Sequence, residues 1–160
     1  MGFALPLREN RLTGSALITP TDRWLIYLML AYLWVALGGG IGSVARFWMD
    51  GLVSNKFGTS FPWGILVINI TGSFVIGVLG AVAGSSGRMD PESRVFTTQF
   101  LMIGICGGYT TFSSFSWHTL RLLREGEWLY AGGNVILSVL LCMIAVWLGY
   151  LVGAWLQRWI

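Results

Sequence analysis

Four stretches of this chain carry no Asp, Glu, Lys or Arg: residues 24–45, 57–87, 95–120 and 128–157. Each runs from one charge to the next and is 22 to 31 residues long. A helix needs about 20 residues to cross ~30 Å of hydrocarbon. Inside a bilayer each backbone polar group must be paired within the span, so helices are the expected form. Trp24, Trp63, Trp128 and Trp159 lie near the run ends, where indole rings anchor at the interface. The expectation is an all-α membrane protein with four transmembrane helices in residues 24–160, after a flexible polar tail at 1–23.

The composition agrees. Of 160 residues, 55% are hydrophobic and 11% charged, against about 25% charged in ordinary soluble domains. So few charges would not cover a soluble enzyme's surface, and 14% aromatic residues exclude a disordered tail. The net charge of +3 is scattered between apolar runs. It reads as positive loops beside membrane spans, with lipid and not nucleic acid as the surrounding partner. Cys106 and Cys142 sit inside apolar runs, with no disulfide framework and no metal-ligand spacing. No apolar segment precedes Trp24, so a cleavable signal peptide is not expected.

Four spans would put both termini on one side. That side holds Arg8, Arg11, Arg23, Arg88, Arg94 and Arg158; the other holds Arg46, Lys56, Arg121 and Arg124. Without the distant Arg8 and Arg11 the count is four against four. Two readings stand: an orientation fixed by the N-terminal arginines, or insertion both ways with antiparallel assembly.

Gly38 and Gly42 form a small-xxx-small pair that lets helices approach closely, as do Gly80 with Gly84 and Gly149 with Gly153. Arg46 marks the expected exit of span one. Asn69, inside span two, must face a partner or a water-filled path. It is either an interhelical hydrogen bonder or a pore-lining donor, and shares a face with Ser73, Gly77 and Ala81.

Span three holds Gly107-Gly108-Tyr109-Thr110-Thr111-Phe112-Ser113-Ser114-Phe115-Ser116. A glycine pair before a dense hydroxyl run is poor material for a lipid-facing helix. A break is expected near Gly107–Thr110, tolerated where it is buried in protein or lines a cavity. The break would free carbonyls suited to a hard cation and amides suited to an anion. Phe112 and Phe115 share a face, and ring edges are positive enough to accept a small anion. Two Phe at this spacing are ordinarily packing residues; the interleaved hydroxyls argue otherwise. No Asp or Glu lies inside a run, which fits an anion path and disfavours a proton- or cation-driven transporter. His118, near Arg121, reads as an interfacial polar residue. No nucleophile–base pair or phosphate loop is visible, so an enzyme is not expected.

Three strings together, Gly38-Gly39-Gly40-Ile41-Gly42-Ser43-Val44-Ala45-Arg46, Pro62-Trp63-Gly64 leading to Asn69, and Gly107 to Phe115, closely resemble the Fluc (CrcB) family of fluoride channels. The resemblance covers roughly residues 29–153. It implies a four-span subunit in an antiparallel, dual-topology homodimer with two fluoride pathways, exporting fluoride passively across the bacterial cytoplasmic membrane. It implies that Asn69 lines a pore and that Phe112 and Phe115 meet fluoride edge-on. Thr111, Ser113 and Ser114 supply hydroxyls beside those rings. Gly107 and Thr110 match the residues whose carbonyls bind a structural sodium ion, and Arg46 matches the arginine after span one. Two positions depart from the family: Asn134, followed by Ser138 one turn on, stands where many members have tyrosine, and His118 where many have glutamate. A small multidrug exporter would need a membrane carboxylate, and a membrane scaffold would leave the hydroxyl run unexplained.

Overall fold

The computed structural model describes residues 20–84 and 90–159, and every regular element among them is helical. Helix α1 spans Pro20–Phe57 and α2 spans Trp63–Gly84. A third rod, α3, passes without interruption through Pro91–Val95, Phe96–Cys106 and Gly107–Tyr109. Two extended residues separate it from α4, Phe112–Arg124, and a tight turn leads to α5, Trp128–Leu156. Among the described residues three helices are long and apolar enough to cross a membrane: Trp24–Phe57, α2 and α5. The third charge-free run is not one helix. It is divided between α3 and α4, and α4, at 13 residues, is only ~20 Å long.

Helix α1 differs from the expectation at both ends. It begins at Pro20, inside the segment read as tail; residues 1–19 lie outside the described residues. It also runs through Arg46 to Phe57, where an exit loop is expected. Single charges at Arg46, Asp50 and Lys56 do not stop a helix. The stop comes at Gly58, whose φ of 79° lies in the left-handed region, with Pro62 following. The 38-residue helix is ~57 Å long, well beyond ~30 Å of hydrocarbon, so Asp50 rides on a helical extension. Its backbone packs on the start of α2: a Cβ added to Gly64 would lie 3.1 Å from Asp50 Cα.

The rods pack through glycines. A Cβ on Gly38 would lie 2.9 Å from Gly104 Cα, and one on Gly108 would lie 2.9 Å from Gly39 Cα. Gly42 abuts the backbone of Ile105 and Tyr109. This backbone-to-backbone approach holds α1 against α3. Helix α2 meets α5 the same way, through Gly77 beside Tyr150 N (3.0 Å from a Cβ) and Gly153 beside Val78 Cα (3.1 Å). Gly149 packs on Phe74, while Gln157 Nε2 donates to Ala81 O at 2.5 Å. The expected Gly80–Gly84 contact is absent. A Cβ on Gly84 would meet nothing within 4 Å, and one on Gly80 only Met102 Cε at 3.9 Å. Gly77 takes that role because it, with Ala81, is on the α2 stripe buried against α5.

Candidate functional site

The break between α3 and α4 is two residues long. Thr110 (φ −76°, ψ 157°) and Thr111 (φ −152°, ψ 117°) are extended, while Gly107, Gly108 and Tyr109 stay helical. The break therefore lies at the threonines and not at the glycine pair. Gly108 is needed for its close approach to Gly39.

Asn69 holds the break open. Its Oδ1 accepts from Thr111 N at 2.9 Å, and its Nδ2 donates to Thr111 O at 3.1 Å. Thr111 then starts α4: its Oγ1 accepts from Ser114 N at 3.1 Å as an N-cap, worth about 1 kcal/mol. The same hydroxyl donates to Ser114 Oγ at 3.1 Å and lies 3.2 Å from Ser113 Oγ. On the other side Thr110 N and Oγ1 both donate to Cys106 O at 2.9 Å.

These bonds leave carbonyls without their helical donors. In a continuous helix Thr111 N would serve Gly107 O, and Ser114 N would serve Thr110 O. Both donors are diverted, to Asn69 Oδ1 and Thr111 Oγ1. Gly107 is exposed and Thr110 half-buried. Two freed carbonyl oxygens fit a hard monovalent cation. Among the described residues no group of three His, Cys, Asp or Glu is placed to hold a metal.

One cavity of about 390 Å³ opens beside the break. Its wall includes Asn69 and Ser73 from α2, Thr110 and Thr111 from the break, Phe112 and Phe115 from α4, and Ser138 and Cys142 from α5. No charged residue lines it. The Phe112 and Phe115 ring centroids are 5.3 Å apart with planes inclined at 44°. Asn69 has one amide hydrogen left after bonding Thr111.

The remaining candidates fall outside this wall. Ser113 and Ser114 touch Thr111 from behind it. Asn134 is fully buried; its Nδ2 donates to Thr119 Oγ1 at 2.8 Å, and Ser138 Oγ reaches its Oδ1 at 3.5 Å. Asn134 thus supports the wall through Ser138. His118 is half-buried one turn along α4, and its Nδ1 is sealed from solvent without a hydrogen-bond partner. Arg46 is half-buried on α1 and does not line the cavity. Gly72, Ile76, Val139, Cys142 and Met143 are wall residues not foreseen; for Cys142 the four-residue spacing Asn134, Ser138, Cys142 on one helix is a sequence signal.

A family model described as CrcB-like protein, Camphor Resistance (CrcB), matches residues 33–150. A fluoride-specific ion channel FluC of Rhodospirillum rubrum is 54% identical over 129 residues, which cover 78% of this chain and 95% of that protein. One from Opitutus terrae is 51% identical over 129 residues, 81% of this chain and 96% of that protein. One from Methylocella silvestris is 50% identical over 124 residues, 76% and 92% of the two chains.

Proposed function

The chain belongs to the CrcB-like family, and from that premise we propose that it is a fluoride channel that lowers cytoplasmic fluoride by passive export. It is a multi-pass bacterial membrane protein and a transporter, not an enzyme. The observation that carries the reading is the shared cavity: Asn69, Thr111, Phe112, Phe115 and Ser138, drawn from three helices and the break, face one uncharged space.

The physical problem is fluoride's tight hydration shell. The wall replaces water with many weak partners: ring edges of Phe112 and Phe115, hydroxyls of Thr111, Ser73 and Ser138, and the second amide hydrogen of Asn69. No carboxylate opposes the anion there. Ser113, Ser114 and Asn134 fix the orientation of the hydroxyls they touch.

A second copy completes the site in this reading. Phe112 is 79% exposed, and Ser113, Ser116 and Gly107 are exposed beside the break. Hydroxyls and free carbonyls at membrane depth need a polar cover and not acyl chains. An antiparallel homodimer with two pores supplies it, and the near balance of basic residues across the membrane suits both orientations. Gly107 and Thr110 carbonyls would hold a sodium ion between the copies. Its charge would offset the anion's cost and pin the four half-helices.

Fluoride efflux from proteoliposomes, followed with a selective electrode, tests the reading. Fast efflux with chloride retained supports it. Undiminished efflux in both Phe112→Ile and Phe115→Ile would overturn the ring model.

A further inference from the structure

A second and larger cavity, about 760 Å³, lies at the opposite end of the α1–α3 pair from α4. Its wall brings together Tyr27, Leu30 and Trp34 of α1 with Glu92, Ser93 and Phe96 of α3. It shares no residue with the cavity at the break.

The chemistry of this wall is graded. Trp34 sits edge-on to Phe96 at 5.3 Å, and with Tyr27 it makes an aromatic wall. Glu92 is exposed and unpaired among the described residues. Ser93 gives its backbone N–H to Asp90 Oδ1 at 2.9 Å, and its hydroxyl bonds the same carboxylate. Asp90 is thereby committed to capping α3, so Glu92 is the uncommitted carboxylate. Leu30 lies on the helix face below Tyr27, one turn toward the membrane centre.

A carboxylate that shares a cavity with electron-rich rings suits an organic ammonium, through charge and through the ring quadrupole. An apolar floor leading into the bilayer suits an acyl chain. The pocket lies near Trp24, at the start of the first span, where an indole ring suits the headgroup region. We propose that this pocket binds an ammonium-bearing zwitterionic phospholipid, with the ammonium on Glu92 and the rings and one chain along Leu30. The lipid would tie the entrance of α1 to that of α3, the two rods whose glycines position the break.

The test is native mass spectrometry of the full-length protein released from micelles with equal amounts of phosphatidylethanolamine and phosphatidylglycerol. The expected result is retained phosphatidylethanolamine exceeding phosphatidylglycerol by roughly tenfold or more, a difference of about 1.4 kcal/mol. In Glu92→Gln and in Trp34→Leu the ratio should fall toward one. Fluoride efflux by Glu92→Gln should be unchanged, since Glu92 is remote from the break, and this reads out correct folding. Equal retention in the unmodified protein overturns the proposal, as it would if a second copy filled the groove. A preference that survives both substitutions also overturns it.

Discussion

Asn69 pairs with the backbone of Thr111 through both ends of its amide, at 2.9 and 3.1 Å, across 42 residues of sequence. The pair is a side-chain copy of a backbone turn. It replaces the helical bonds that the break forfeits, and it leaves the wall of the cavity with a donor. In the proposed pore, structure and conduction would meet in one residue.

Asn69→Leu should lose both bonds and leave the Thr111 N–H, on a residue only 6% exposed, without a partner. The cost is about 1–3 kcal/mol, read as a lower melting temperature together with lost efflux. Asn69→Asp separates the two roles. It keeps the acceptor for Thr111 N, loses the donor, and puts a negative charge on the wall. It should elute as a folded protein on gel filtration while fluoride efflux falls by roughly tenfold or more. Normal efflux in Asn69→Asp would show that the amide serves the fold alone.

Phe112→Ile and Phe115→Ile keep apolar volume and remove ring edges. Each should slow efflux by roughly tenfold or more, a loss of about 1.4 kcal/mol of barrier stabilisation. Phe112, at 79% exposure, contributes almost no packing within one chain. A large loss of stability in Phe112→Ile would therefore report a second copy packed on it.

Much of this arrangement is legible in the sequence, and the misreadings have physical causes. A glycine pair followed by a dense hydroxyl run is poor material for one continuous lipid-facing helix, so the existence of the break and the rings beside it can be read locally. Its position cannot. Gly107 and Gly108 look like breakers, yet they stay helical, because Gly108 is required for contact with Gly39. What moves the break to Thr110–Thr111 is Asn69, on another helix. The length of α1 is misread for a related reason: charges at Arg46, Asp50 and Lys56 mark a change of solvent, while Gly58 marks the change of conformation.

The glycine triplet of α1 offers an internal comparison. Gly38→Ala puts a methyl group 2.9 Å from Gly104 Cα and 2.5 Å from Phe100 O, both backbone atoms that a rotamer change cannot move. It should destabilise the protein by about 1–3 kcal/mol. Gly40→Ala, two residues on, meets nothing within 4 Å. It should be neutral or stabilising by up to ~1 kcal/mol through helix propensity. Denaturation of the two variants in the same detergent checks the pair; equal losses would place a second copy against Gly40.

The sodium proposal needs ion replacement, since the proposed ligands are carbonyls that no side-chain substitution removes. Exchange of sodium for N-methylglucamine should lower the melting temperature. An ion at 100 times its dissociation constant contributes about 2.7 kcal/mol. Identical melting in the two salts would remove sodium from the reading and leave the Gly107 and Thr110 carbonyls to water.

Asp90 gives a pH signature outside the membrane. Its hydrogen bonds with the Ser93 side chain and backbone hold its carboxyl below the usual value. The folded pKa is lower than the unfolded one, so the cap contributes fully above the unfolded value, about 3.9. Its contribution is lost as pH falls through the lower folded value. Hydrogen exchange at the Ser93 amide should therefore be slow above that window relative to Asp90→Ala, and the difference should vanish below it. Because Asp90 fixes the first turn that carries Glu92, Asp90→Ala should also weaken lipid retention at the α1–α3 pocket while leaving fluoride efflux intact.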